Sequence, residues 1–229
     1  MIVSVTLCLH LALNKQVTFP KDPPFEADIR KFEAQDEKNP PKPGGIVFVG
    51  SSSIRLWKTL EQDFPSYNVI NRGFGGSKIE DSTRYCQRIV TKYKPKIIVF
   101  FAGTNDIADG KLAEQVLEDF RTFVLKVRTH EPNVQIVYLS ITPAPARWAH
   151  IGEIRQANQL IQEWMKKRYM YFVDMQSAFL TPGGEPRPEL FVEDKLHLNE
   201  KGYEVWKQEL TPLLSRLWSA GLIRRSAVP

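Results

Sequence analysis

Ile46-Val47-Phe48-Val49-Gly50-Ser51-Ser52-Ser53-Ile54-Arg55 is the stretch from which the fold can be read. Its first four residues are β-branched or aromatic and show no apolar–polar alternation, the pattern of a strand buried on both faces. A glycine and three small hydroxyl residues follow, of the kind that open helices, and a helical pattern then begins. The same order of strand, loop and helix recurs along the chain. Further apolar runs of strand length occupy 67–70, 97–101, 134–139 and 170–173, with helical stretches near 53–62, 79–93, 111–129 and 150–168 and a last helix over about 199–219. Strands that alternate with helices predict an α/β protein with a parallel sheet covered on both sides. In such sheets the chemistry sits beyond the carboxyl ends of the strands.

The region before Gly44 reads differently. Residues 2–13 are an apolar run too short to span a bilayer and about as long as the core of an export signal. The run implies a secreted or periplasmic protein. A cytoplasmic chain is the alternative, because no basic residue precedes the run and His10 interrupts it. Residues 14–43 read as an arm in which Phe25, Ile29 and Phe32 recur at helical spacing between Pro20, Pro23 and Pro24 on one side and Pro40, Pro41 and Pro43 on the other. The expected organisation is an N-terminal apolar segment and proline-bounded arm over 1–43, then one domain over 44–229.

The balance of 31 Lys and Arg against 26 Asp and Glu leaves a net charge of +5. These charges are interleaved, and the densest basic cluster, Lys166-Lys167-Arg168, closes a helical pattern, where cations complement the helix dipole. A nucleic-acid partner is not expected. Cys8 and Cys86 are the only thiols, so the fold has no disulfide framework. No Cys/His grouping or His-Glu-x-x-His motif suggests a metal.

The loops after the strands carry the chemistry. Gly50-Ser51-Ser52-Ser53 follows the first strand, Asn71-Arg72-Gly73-Phe74-Gly75-Gly76-Ser77 the second, Gly103-Thr104-Asn105-Asp106 the third, and Asp194-Lys195-Leu196-His197 precedes the last helix. Together they offer a hydroxyl, backbone amides without Cβ obstruction at Gly75 or Gly76, a carboxamide and an Asp–His pair. Acyl transfer needs this set: a base to take the serine proton, a carboxylate to fix the histidine tautomer, and donors for the oxyanion. Each piece has a plainer reading alone, as an N-cap, a turn or a surface pair. The glycine-rich loop lacks the third glycine of the dinucleotide fingerprint and the spacing of a Walker loop. Asp174, at the end of the fifth strand, is the alternative partner for His197.

The four segments resemble the sequence blocks of the SGNH (GDSL-type) hydrolase family over about residues 44–217. Gly50-Ser51-Ser52 stands where the family has Gly-Asp-Ser, so that Ser51 departs from the pattern and counting from Gly50 selects Ser52. Gly76 best matches the second-block glycine, Gly103-Thr104-Asn105-Asp106 matches the third block, and Asp194-x-x-His197 the last. Within the family, Lys94-Pro95-Lys96-Ile97-Ile98-Val99 and the last block look most like the catalytic subunits of intracellular platelet-activating-factor acetylhydrolase and their bacterial relatives. The resemblance implies a flavodoxin-like three-layer fold, no cofactor, and Ser52, His197 and Asp194 as a catalytic triad. It also implies an oxyanion hole made of the Ser52 N–H, the Gly76 N–H and the Asn105 side chain. The absence of Gly-x-Ser-x-Gly, with Ile54 in its last position, argues against the α/β-hydrolase elbow.

The expected activity is hydrolysis of a small-molecule ester with a short acyl group. Little chain separates Asn105 from the helix expected by Lys111, and the rim residues Arg72, Ser77, Lys78, Thr142, Pro143, Pro145 and Arg147 are polar or stiff, with Phe74 and Trp148 as apolar exceptions. Arg147 and Trp148 are candidates for the substrate pocket. Rival readings are a thioesterase or carbohydrate deacetylase with the same residues, or a non-catalytic carbohydrate- or lipid-binding module on a decayed hydrolase fold.

Overall fold

The computed structural model describes residues 22–166 and 170–226. The apolar run 2–13 with Cys8 and His10, the residues up to Pro20, and Lys167 and Arg168 lie outside the described residues. In chain order the elements are α1 (Glu26–Lys38), β1 (Ile46–Gly50), α2 (Ser52–Arg55), α3 (Leu60–Asp63), β2 (Val69–Gly73), α4 (Ile79–Arg84), α5 (Cys86–Ile89) and β3 (Ile97–Phe101). Then come α6 (Thr104–Ala108), α7 (Ala113–Arg128), β4 (Gln135–Leu139), α8 (Ile151–Met165), β5 (Met170–Val173), α9 (Met175–Ala178) and α10 (Glu200–Ser226).

The five strands form one parallel sheet in the order β2-β1-β3-β4-β5. Because strand side chains alternate, Val47, Val49, Ile98 and Phe100 pack on one face with residues from α1, α4, α5, α7 and α8. Ile46, Phe48, Val99 and Phe101 pack on the other with α2, α3, α9 and α10. The central strands β1 and β3 are buried along their whole length, which is why their runs lack polar residues. Each fully buried Phe or Ile contributes about 1.5–3 kcal/mol relative to exposure. The strand order reverses between β1 and β3, and the crevice beyond that point is where such sheets bind ligands. Gly50 closes β1 there with φ +140°, and a Cβ on it would lie 1.9 Å from the Phe101 carbonyl oxygen. Only glycine lets β1 and β3 run side by side up to the loop that carries Ser52.

Three expectations need correction. The second strand runs over Val69–Gly73 rather than 67–70, because the register pairs Val49 with Arg72 and Gly50 with Gly73. Arg72 is therefore not a rim residue. It is 6% exposed, bonded to Asp36 of α1 and, at 2.7 Å, to the Tyr93 hydroxyl. Phe74 likewise lies in the core, 1% exposed and edge-on to Phe25. Second, the stretch 53–62 is two short helices, since Trp57 turns inward between them and its Nε1–H donates to Asp63 at 2.8 Å. The stretch 79–93 is broken at Tyr85, whose hydroxyl donates to the Pro24 carbonyl at 2.6 Å. Third, a short helix over Thr104–Ala108, α6, precedes the helix expected over 111–129, which is α7.

The arm packs on the sheet's first face through the buried Ile29, with Phe25 and Phe32 beside it. Charges hold its outer side. Arg88 pairs with Glu26 at 2.8 Å and Glu33 at 2.7 Å, and its hydrogen bonds hold both carboxyls below the usual carboxylate range.

Candidate active site

Ser52 is the first residue of α2, directly beyond the end of β1. His197 comes from the far end of the chain, 145 positions later, and its Nε2 lies 2.9 Å from Ser52 Oγ. The loop that brings it there is shaped by Asp194. One carboxylate oxygen accepts the backbone N–H groups of Leu196 and His197, both at 2.9 Å, while Lys195 turns through φ +57°. The other oxygen lies 2.6 Å from His197 Nδ1. Burial works to raise the Asp194 pKa, but hydrogen bonds from the His197 backbone and ring and from the Leu196 N–H bring it down to about 2. An ionised carboxylate only accepts, so Nδ1 carries the proton and Nε2 is left to accept from Ser52. Asp174, the alternative partner, is engaged elsewhere: it caps α9 and accepts the Ser177 hydroxyl at 2.5 Å.

Ser51 and Ser53 flank the candidate nucleophile without competing for the histidine. Both are buried, and the Ser53 carbonyl accepts the Tyr203 hydroxyl at 2.9 Å. On the facing loops, Gly76 has φ +80°, a conformation that glycine adopts at no steric cost. Asn105, in α6, donates one N–H to the Ser77 carbonyl at 3.0 Å, which leaves its second N–H for a ligand. Its neighbour Asp106 is completely buried and accepts from the Ile79 N–H and from Lys111 Nζ at 3.2 Å. Burial raises the Asp106 pKa, and Lys111 pulls against that.

A cavity of about 20 Å³ opens beside Ser52 and Asn105, walled by Phe101, Thr142, Ala144, Leu196 and Leu198. Arg147 and Trp148 do not line it. Both are half-buried on the 3₁₀ turn Pro145–His150, where the Trp148 ring lies 6.0 Å from the Arg155 guanidinium. Sequence reasoning missed Leu196 and Leu198, although each adjoins His197, and it missed the tie from Asp106 to Ile79. His130 meets Gln87 on the surface at 2.6 Å, away from this site. Among the described residues no group of three or more His, Cys, Asp or Glu could hold a metal, and no helix is long and apolar enough to cross a membrane.

A family model described as the GDSL-like Lipase/Acylhydrolase family matches residues 48–205, from within β1 to α10. The chain belongs to this family. It is a carboxylic ester hydrolase, and its five-stranded sheet with helices on both sides is the SGNH hydrolase fold. Among sequence relatives, platelet-activating factor acetylhydrolase IB subunit alpha1 of Pongo abelii is 28% identical, over 82% of this chain and 81% of the relative. Subunit alpha2 of Mus musculus is 26% identical over 75% and 76%. Solved structures share the fold. A GDSL-like lipase of Bacteroides thetaiotaomicron superposes with a TM-score of 0.73 at 17% identity, over 83% of this chain and 98% of its own. A carbohydrate esterase of family 3 from Talaromyces cellulolyticus gives 0.64 at 20%, over 76% and 97%.

Proposed function

We propose that the GDSL-family chain hydrolyses short-chain, acetyl-type esters through an acyl-enzyme formed on Ser52. The observation that carries this reading is the 2.9 Å contact from Ser52 Oγ to His197 Nε2 at the mouth of a cavity of only about 20 Å³. Ser52 Oγ attacks the ester carbonyl carbon and its proton passes to His197 Nε2. The negative charge that develops on the carbonyl oxygen faces the Ser52 N–H, the Gly76 N–H and the free N–H of Asn105. Collapse breaks the bond to the alkoxy oxygen, and the alcohol leaves with the proton from His197. Water then attacks the acyl-enzyme and gives one proton to His197, which returns it to Ser52 as the carboxylic acid departs. Asp194 keeps the imidazole in the required tautomer throughout.

Size supports the acyl preference. A cavity of this volume has room for about one water-sized group, which suits the methyl of an acetyl. A longer chain gains about 0.8 kcal/mol per CH₂ only where it is buried, and here it would meet Phe101, Leu196 and Leu198. Relatives named as acetylhydrolases fit the same preference. The test is kcat/KM on p-nitrophenyl esters from acetate to palmitate. The reading expects the maximum at acetate or propionate, and a maximum at octanoate or longer would refute it.

A further inference from the structure

The cavity of about 20 Å³ beside Ser52 has room for a small acyl group and none for the rest of an ester. A second, open groove of about 820 Å³ runs between the start of α10 and the segment that joins α2 to α3, a volume in the range of small-molecule sites. Its walls come from both sides of the Ser52–His197 pair. Leu56 closes α2, and its N–H donates to the Ser52 carbonyl at 2.8 Å. Residues at this spacing share a helix face, with Cβ atoms about 5–6 Å apart. Opposite, the Val192 N–H donates to the His197 carbonyl at 2.9 Å, and Leu198, next to His197, walls both the groove and the cavity. Val192 is 43% exposed. The other exposed large apolar side chains among the described residues, Leu112 and Leu125, belong to α7 and its N-cap, on the opposite face of the sheet. Tyr203 completes the floor, with its hydroxyl proton given to the Ser53 carbonyl at 2.9 Å. The charged residues at the groove's edge have both signs, Lys58 and Lys201 against Asp63, Glu200 and Glu204, so it favours neither an anion nor a cation.

We infer that this groove holds the alcohol half of the ester and favours an uncharged, apolar alcohol. The inference rests on the reading of Ser52 as nucleophile and of the small cavity as the acyl site. In that reaction His197 Nε2 hands its proton to the alkoxy oxygen, so the alcohol leaves from beside His197. The chain on that oxygen then starts between Leu56 on the Ser52 side and Val192 and Leu198 on the His197 side. Each CH₂ withdrawn from water there favours binding. The groove holds substrate and transition state alike, so its effect falls on KM and not on kcat. All acetate esters also share one acetyl-enzyme, whatever their alcohol. The bond changes are those of ordinary hydrolysis: the acyl–oxygen bond breaks, the alcohol takes a proton, and water supplies the oxygen of the acid.

Hexyl acetate and ethyl hexanoate are isomers that carry the same chain on opposite sides of the ester, so bulk hydrophobicity does not separate them. The experiment measures kcat and KM for both, and for ethyl acetate, with the wild type, Val192→Ser and Leu56→Gln. In the wild type, kcat/KM for hexyl acetate should be about tenfold above that for ethyl acetate, a fraction of what full burial of four CH₂ groups would give. It should also lie well above that for ethyl hexanoate. Each substitution should raise KM for hexyl acetate and lower the hexyl-to-ethyl acetate ratio about threefold or more. Should a variant fail to fold, the three substrates compared in the wild type still decide. A hexyl-to-ethyl acetate ratio near one in the wild type, or one unchanged in folded variants, overturns the groove's role alone, since acetate is still hydrolysed. Faster hydrolysis of ethyl hexanoate than of hexyl acetate overturns the short-acyl reading and the inference with it.

Discussion

The carboxylate of Asp106 accepts the backbone N–H of Ile79 with its two oxygens at 3.3 and 3.4 Å. Ile79 begins α4 just beyond Gly76 and Ser77, and Asp106 follows Asn105 in α6. The contact therefore ties together the two loops that carry the proposed oxyanion donors Gly76 and Asn105, alongside the bond from Asn105 to the Ser77 carbonyl. Asp106→Ala should lower kcat with little change in KM, because donors that await the oxyanion act in the transition state. Steady-state kinetics beside a thermal melt check this; a rise in KM at constant kcat would contradict it.

Lys111 is the cation that offsets the buried Asp106 charge, with Asp119 as its second partner at 2.6 Å. Lys111→Met leaves that carboxylate uncompensated and should cost about 3 kcal/mol of stability at neutral pH. Burial already raises the Asp106 pKa, and removal of Lys111 raises it further. A carboxyl whose folded pKa lies above its unfolded one loses stability as pH climbs between the two values. The Tm deficit of Lys111→Met should therefore be smaller at pH 4.5 than at pH 7. An equal deficit at both would sink this account.

Asp194 titrates the other way. Its folded pKa of about 2 is below the unfolded value near 3.9, so its stabilising contribution is present above that value and lost as pH falls through about 2. Carboxyl carbon NMR should place its midpoint near 2, and a midpoint near 4 would mean that the hydrogen bonds to its carboxylate do not form. Asp194→Asn should lower kcat by about 10²–10⁴, since an amide no longer fixes the tautomer.

Much of the fold is legible because it depends on local pattern. The Val- and Ile-rich runs give four of the five strands in nearly their observed places, and the Phe25–Ile29–Phe32 spacing gives α1. The end of β2 is hidden because Asn71, Arg72 and Gly73 look like loop. Their strand state comes from pairing with β1, and the burial of Arg72 depends on Asp36 and Tyr93, far away in sequence. The Asp194–His197 spacing can be read directly. The approach of His197 to Ser52 cannot, since it depends on how the whole sheet is wound.

The same pairing makes a prediction for the arm. Asp36 accepts from Arg72, from the Tyr93 hydroxyl at 2.6 Å and from Lys92 at 2.6 Å. Asp36→Ala leaves the Arg72 cation buried without its carboxylate and should destabilise the protein by about 3–5 kcal/mol. Urea unfolding measures this. A loss below about 1 kcal/mol, the range of exposed pairs, would show that α1 is not integral to the domain.

Gly50 and Gly76 should respond differently to alanine. At Gly76 nothing lies within 4 Å of an added Cβ, so only the positive φ is penalised, at about 1–2 kcal/mol. At Gly50 the Cβ would overlap the Phe101 carbonyl, and Gly50→Ala should not yield folded protein. Circular dichroism of the two variants separates these outcomes, and a Gly50→Ala variant as stable as Gly76→Ala would contradict the close pairing of β1 and β3.

The assignment of Ser52 among three consecutive serines is tested most directly by fluorophosphonate labelling followed by peptide mass spectrometry, alongside turnover of an acetyl ester. The adduct should sit on Ser52, and Ser52→Ala should lose both label and activity, while Ser51→Ala and Ser53→Ala, which leave the contact to His197 Nε2 in place, should keep the label. An adduct on Ser51 or Ser53, or wild-type turnover by Ser52→Ala, would contradict the account.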